Sequence, residues 1–199
     1  MNQAILTFLI LLQLNSFAQQ KNAKLNFDYK IIEVVGDLNK DSLPDKVIVT
    51  QDTLNEKAPY KIEVFFKEPN GKLKLIVSST KLIEAQYPDG RDGYFTGTAF
   101  SEVTIIKGIL SVNMELLRGH YEHKFRYQNG NFELIGFSEV FSDGQGVMTT
   151  TDFNLSTGIR IEKSERYDTD KLLSLKKKKI LIRPLPKLQD IIPFENQYY

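Results

Sequence analysis

Tyr60-Lys-Ile-Glu-Val-Phe-Phe-Lys-Glu-Pro-Asn-Gly-Lys-Leu-Lys-Leu-Ile-Val77 is the stretch whose reading decides the fold. Tyr60, Ile62, Val64 and Phe66 alternate with Lys61, Glu63 and Lys67. A period of two places the apolar set on one face of a half-buried strand. Asn70-Gly71 then supplies the positive-φ residues of a tight hairpin turn, and Leu73, Leu75 and Val77 return. The same pattern recurs along the chain. Leu110, Val112, Met114 and Leu116 follow Gly108, and Tyr121, His123, Phe125 and Tyr127 lead to Asn129-Gly130. Phe132 and Leu134 begin the next run. Val147, Thr149, Thr151, Phe153 and Leu155 are closed by Ser156-Thr157-Gly158 and answered by Ile159 and Ile161.

About ten strands joined by short turns imply an all-β chain: an antiparallel meander of hairpins, folded as a sandwich, an open barrel or a strongly twisted sheet. Helical spacing is weak and confined to Leu172–Leu175 and Lys187–Ile192. Glu84–Thr98, with Pro88, Gly90, Gly93 and Gly97, reads as the one long irregular loop.

The first eighteen residues carry no charged side chain, and Ser16-Phe17-Ala18 supplies the small residues a signal peptidase reads. The expected organisation is a secretory signal at 1–18, an all-β domain at 19–170 and a basic, proline-containing segment at 171–199 packed on that domain or extending it. The apolar run is too short to span a bilayer core of ~30 Å, and no later run is longer, so no transmembrane segment is expected. Export to the periplasm or the cell exterior follows. Cysteine is absent, so disulfides are excluded and packing, with a metal as the available aid, must hold the fold. A net charge of +1 argues against nucleic acid as the partner. The charge is uneven: Lys171, Lys176 to Lys179, Arg183 and Lys187 follow one another with no acid between them. Such a run is either a solvated strand or linker, or a contact for the acidic body or an anionic surface.

Gly36-Asp-Leu-Asn-Lys-Asp-Ser-Leu-Pro-Asp45 carries the clearest chemistry in the chain. Asp37, Asn39, Asp41 and Asp45 stand at relative positions one, three, five and nine, between two β-branched runs. One loop at that spacing turns several oxygens toward a common centre, the environment a hard cation such as Ca²⁺ requires. An EF-hand places glycine at position six and glutamate at position twelve; here these are Ser42 and Ile48, and the flanks are strand formers. The loop resembles instead the cation loop of FG-GAP and VCBS repeats, over Val34–Thr50. That resemblance implies side-chain ligands at Asp37, Asn39, Asp41 and Asp45, with the Leu43 carbonyl completing a structural Ca²⁺ site. Ser42 departs from the glycine usual after the third ligand, where positive φ costs a β-carbon roughly 1 kcal/mol. Affinity near ~10⁻⁴ to 10⁻³ M, as in extracellular modules, is then expected. The alternative is a polar turn in which Asp and Asn bond their own backbone.

Phe125-Arg-Tyr-Gln-Asn-Gly-Asn-Phe-Glu-Leu-Ile-Gly-Phe137, followed by Asn154-Leu-Ser-Thr-Gly158, resembles the C-terminal half of exported bacterial proteins, notably from Bacteroidetes. Those proteins open with the same style of acidic loop. The resemblance implies export and β architecture and brings no activity with it.

Other constellations are weaker. In His120-Tyr-Glu-His123 a strand sets His120 and Glu122 on one face and His123 on the apolar face, so three zinc ligands do not converge. Asp89-Gly-Arg-Asp92, in the long loop, presents two carboxylates and a guanidinium for a ligand. No nucleophile elbow or phosphate loop appears, and the two histidines share one strand. The expectation is an exported, non-enzymatic binding or structural module with a structural Ca²⁺ loop and an unidentified protein or polymer ligand. Its rivals are a metal-free protein-interaction module using strand edges and a hydrolase drawing acids from the Asp89–Asp92 loop.

Overall fold

A computed structural model describes residues 25–195; the leader read at 1–18 lies outside the described residues. Strands β1 (Tyr29–Gly36), β2 (Asp45–Gln51), β3 (Tyr60–Lys67) and β4 (Leu73–Ser79) form one antiparallel sheet in chain order. The second sheet is a seven-stranded meander, also in chain order. It comprises β5 (Ala99–Ile106), β6 (Ile109–Leu116), β7 (Gly119–Gln128), β8 (Asn131–Ser142), β9 (Val147–Asn154), β10 (Ile159–Arg166) and β11 (Leu172–Lys179). The chain is nearly all β, and neither sheet closes into a barrel.

Two local expectations are corrected. Leu172–Leu175 begins strand β11, because its backbone pairs with β10 and that ladder overrides a weak helical spacing. The register of β3 and β4 jumps from Val64↔Val77 to Phe65↔Leu75, which inserts Ile76 as a bulge. Leu73 and Leu75 therefore turn outward, 42% and 49% exposed, while Val77 stays opposite Val64. Turn chemistry explains the connection. At Asn70-Gly71 only Gly71 has positive φ (84°), within a longer loop closed by the Gly71 amide on the Glu68 carbonyl. The two-residue turns with both φ positive are Lys107-Gly108 (53°, 75°) and Asn129-Gly130 (52°, 73°).

The two sheets share one core. Val47, Val49, Ile62 and Val64 join Leu110, Val112, Met114, Tyr121 and Phe125 in a single buried cluster. Each such side chain contributes roughly 1.5–3 kcal/mol on burial. The sheets meet where β1 approaches β5: a β-carbon on Gly36 would lie 2.6 Å from Ile105 Cγ2, so glycine is required there. Beyond β11 the chain returns to the core, burying Leu185, Leu188 and Ile191 around one 3-10 turn, Leu188–Asp190. The Leu134 amide donates to the Pro186 carbonyl (2.8 Å), and Arg183 donates to the carbonyls of Leu155 (3.0 Å) and Ser156 (2.7 Å).

Seven strands against four leave part of the larger sheet outside the sandwich, and the sequence changes character to match. One cross-strand row runs Val112, His123, Phe137, Phe153, Arg160, Lys178 from β6 to β11. The next runs Met114, Tyr121, Glu139, Thr151, Glu162, Lys176. Residues directly opposite in a ladder share a face. The same face is therefore apolar over β6–β7 and charged over β10–β11, with the change at β8–β9.

Candidate functional site

The acidic loop connects β1 to β2, and its polar side chains bond its own backbone. Asp37 accepts from the amides of Lys40 (2.6 Å) and Ser42 (3.0 Å). Asn39 Oδ1 accepts from the Asp41 amide (3.0 Å), and its Nδ2 donates to Asp41 Oδ2 (2.8 Å). Asp41 Oδ1 accepts from the amide of Leu43 (2.8 Å). Lys40 and Ser42 both stand at φ 67°, so the backbone does bend through the left-handed region at the serine.

Asp45 differs from the other three. It is fully buried, with Oδ2 accepting from the Leu38 amide (2.9 Å) and Oδ1 from the Lys67 amide (3.0 Å). It ties the loop to the end of β3. Burial pushes its carboxyl above the usual range, against the two amide bonds, and the neighbouring Asp41 charge pushes it further. The structure thus brings Asp37, Asn39, Asp41, Leu43 and Asp45 into one compact turn. Among the described residues no group of three or more His, Cys, Asp or Glu is arranged to hold a metal ion.

The other sequence candidates separate. His120 is exposed and His123 is buried among Tyr121, Phe125 and Phe137, at ring distances of 5.3, 6.2 and 5.5 Å. Burial holds the His123 imidazole down at about 3, with the Glu122 charge opposing. Asp89 and Asp92 are exposed, and Arg91 donates to the Thr53 carbonyl (2.7 Å) beneath the Tyr87 ring. That loop therefore sends its two carboxylates to solvent and ties its guanidinium to the β2–β3 connection.

Its two ends do something else. Glu84 at one end, and Thr96 and Thr98 at the other, wall a cleft of about 790 Å³. The floor is the transition zone of the large sheet, with Glu139 and Phe141 from β8, Thr149 and Thr151 from β9, and Arg160 and Glu162 from β10. The β6–β7 turn (Leu117, Arg118) and Phe194 complete the rim. Glu84 Oε2 and Arg160 Nε are both buried, and neither finds a hydrogen-bond partner among the described residues. Burial raises the carboxyls of Glu84 and Glu139; a Thr98 hydrogen bond opposes this at Glu84, and the Arg160 charge opposes it at Glu139. Glu162 is held low by Lys176, whose ammonium lies 3.0 Å away.

Sequence reading pointed to the long loop and missed the cleft at its ends. The signal available was Glu139, a charged residue at an apolar phase of the β8 alternation, in the same cross-strand row as Glu162 two strands away.

Comparison with known families, curated proteins and solved structures gives no match. No helix among the described residues is long and apolar enough to cross a membrane.

Proposed function

We propose that the chain is an exported, non-enzymatic binding module whose ligand seat is the cleft between Glu84 and Arg160. One observation carries the reading: a buried acceptor and a buried donor, both without partners among the described residues, line the same cavity. Leaving such groups unmet costs roughly 1–3 kcal/mol each, and a bound ligand is the economical way to satisfy them. The cavity volume also falls in the ordinary range for ligand sites, about 300–1,000 Å³. The test is amide chemical-shift mapping of the mature chain against a library of small polar fragments. Shifts concentrated on β8, β9 and β10 are expected; shifts scattered over the surface, or none, sink the reading.

A structural Ca²⁺ in the Asp37–Asp45 loop is the second part of the proposal, favoured by Ser42 at φ 67°. The ligands would be Asp37, Asn39, Asp41 and Asp45, with the Leu43 carbonyl. Binding requires Asn39 and Asp41 to exchange their mutual hydrogen bond for the cation. With a Kd of ~10⁻⁴ to 10⁻³ M, 5 mM Ca²⁺ stabilises by about 1–2 kcal/mol. That corresponds to a rise of roughly 2–9 °C in melting temperature for a chain of this size. The melt is run in EDTA, in Ca²⁺ and in Mg²⁺. A calcium-specific rise that Asp41→Ala abolishes supports the site; an equal response in the variant removes it.

A further inference from the structure

The cleft's unmet groups also narrow the chemistry of what fills it. Glu84 Oε2 is an acceptor and Arg160 Nε–H a donor, and both are buried without partners among the described residues. An anion offers only acceptors and a cation only donors, whereas a hydroxyl offers both. Fixed charge discourages either ion. Glu84, Glu139 and Glu162 oppose Arg118 and Arg160 around the same space, so no single sign prevails. Burial that already disfavours ionised Glu84 and Glu139 also penalises a second charge brought in from water.

The rest of the lining suits a ligand with alternating polar edges and apolar faces. Thr96, Thr98, Thr149 and Thr151 set hydroxyls around the cavity, and Thr149 already shares a hydrogen bond with Ser164 (3.0 Å). Phe141 and Phe194 flank it with rings 45% and 58% exposed. Flat apolar rings beside convergent polar groups are the ordinary make-up of a small-ligand site. The chain has no tryptophan to serve as a sugar platform, and these phenylalanines supply flat faces in its place.

We infer that the cleft takes a neutral, polyhydroxylated ligand, a short run of saccharide, with Glu84 accepting from one hydroxyl and Arg160 Nε donating to another. Rings at the rim pack against the apolar faces of the sugar. Threonine hydroxyls on β9 read its remaining edges. This assignment rests on the binding reading above and adds to it the class of ligand.

The test uses the mature chain on an array of neutral and acidic glycans, followed by titration of the strongest neutral oligosaccharide by saturation-transfer NMR. Neutral glycans should bind in preference to acidic ones. Arg160→Met and Glu84→Leu should each weaken the titrated sugar about tenfold, with melting curves near the parent's. Thr151→Val, isosteric and so safe for packing, should weaken it severalfold. Silence on every neutral glycan overturns the assignment, as does preference for acidic glycans or displacement of the sugar by the zwitterion glycylglycine. Affinity unchanged in all three variants overturns it equally. Fragment shifts on β8–β10 with no sugar binding leave the binding reading standing and remove only the saccharide; absence of both removes both.

Discussion

The Asp37–Asp45 loop and the cleft over β8–β10 are both rich in oxygen, yet they treat it in opposite ways. In the loop, the acids and Asn39 turn carboxylate and amide oxygens onto backbone amides of the same turn or of β3. In the cleft, a carboxylate oxygen and a guanidinium nitrogen are buried and left unmet among the described residues. Polar groups that satisfy one another hold a shape. Polar groups kept dry and unpaired cost stability, and that cost is expected where a ligand binds.

Substitution at Asp45 is the severest way to break this contrast. Asp45→Ala leaves the Leu38 and Lys67 amides without their acceptor, and at about 1–3 kcal/mol for each unmet group the loss should approach 3–4 kcal/mol. Urea denaturation measures it. A loss under about 1 kcal/mol would mean the loop does not depend on this carboxylate, and the contrast with the cleft would fail.

The difference between the two regions also explains what could be read from sequence. The loop is local: its oxygens come from nine consecutive positions, and Asp-x-Asn-x-Asp announces a tight turn wherever it folds. The strands were equally legible, since alternation within eight residues encodes a face. The β3–β4 bulge was not, because Ile76 is apolar like its neighbours and the slip is decided by cross-strand packing against Val64. Nor was the cleft. Glu84 and Thr98 end one loop, and Arg118, Glu139, Arg160 and Phe194 lie in four further segments; only the meander's order and the shortness of the first sheet bring them together. Asp45 sits between these cases: its position was legible, but its bond to Lys67, 22 residues on, depends on β3 returning beside β2.

His123 gives a smaller effect and a control on burial in the same sheet. Its unfolded value is near 6.5 and its folded value about 3, so between these the unfolded chain binds the extra proton. Stability is therefore complete above pH 6.5 and falls as pH drops toward 3. From pH 7 to pH 4 the loss due to this residue should be roughly 3 kcal/mol. Asp45, Glu84 and Glu139, with raised values, act in the opposite sense, so the measurement is the difference between parent and His123→Phe. Parallel stability–pH curves for the two proteins would show that the imidazole is not shielded from water.

Ser42→Gly sharpens the loop side of the comparison. The serine β-carbon is held at φ 67°, and its removal relieves roughly 1 kcal/mol of native strain. The greater freedom of glycine in the unfolded chain offsets part of that. A net gain of about 0.5 kcal/mol in EDTA is expected, with a larger rise in Ca²⁺ if the same turn wraps the cation. A net loss would mean the serine hydroxyl does more for the loop than its backbone angle costs.

The cleft should give the smallest change, and its sign is what matters. Arg160→Met deletes the buried, unpaired Nε and keeps an apolar stem over Phe153, its cross-strand neighbour. It also gives up an ion pair with Glu162 at 3.7 Å, loose and partly exposed, which is worth little. Relief of the unmet donor opposes the loss of that pair and of Arg160's favourable charge beside Glu139. The parent and variant should therefore melt within about 0.5 kcal/mol of each other, with any shift toward greater stability. A core position would respond differently, since truncation there opens a cavity and costs about 2–5 kcal/mol. Neutral or raised stability together with lost ligand affinity is the signature of a residue kept for binding, whereas a loss above 2 kcal/mol would make Arg160 part of the scaffold and move the cleft to the loop's side of the contrast.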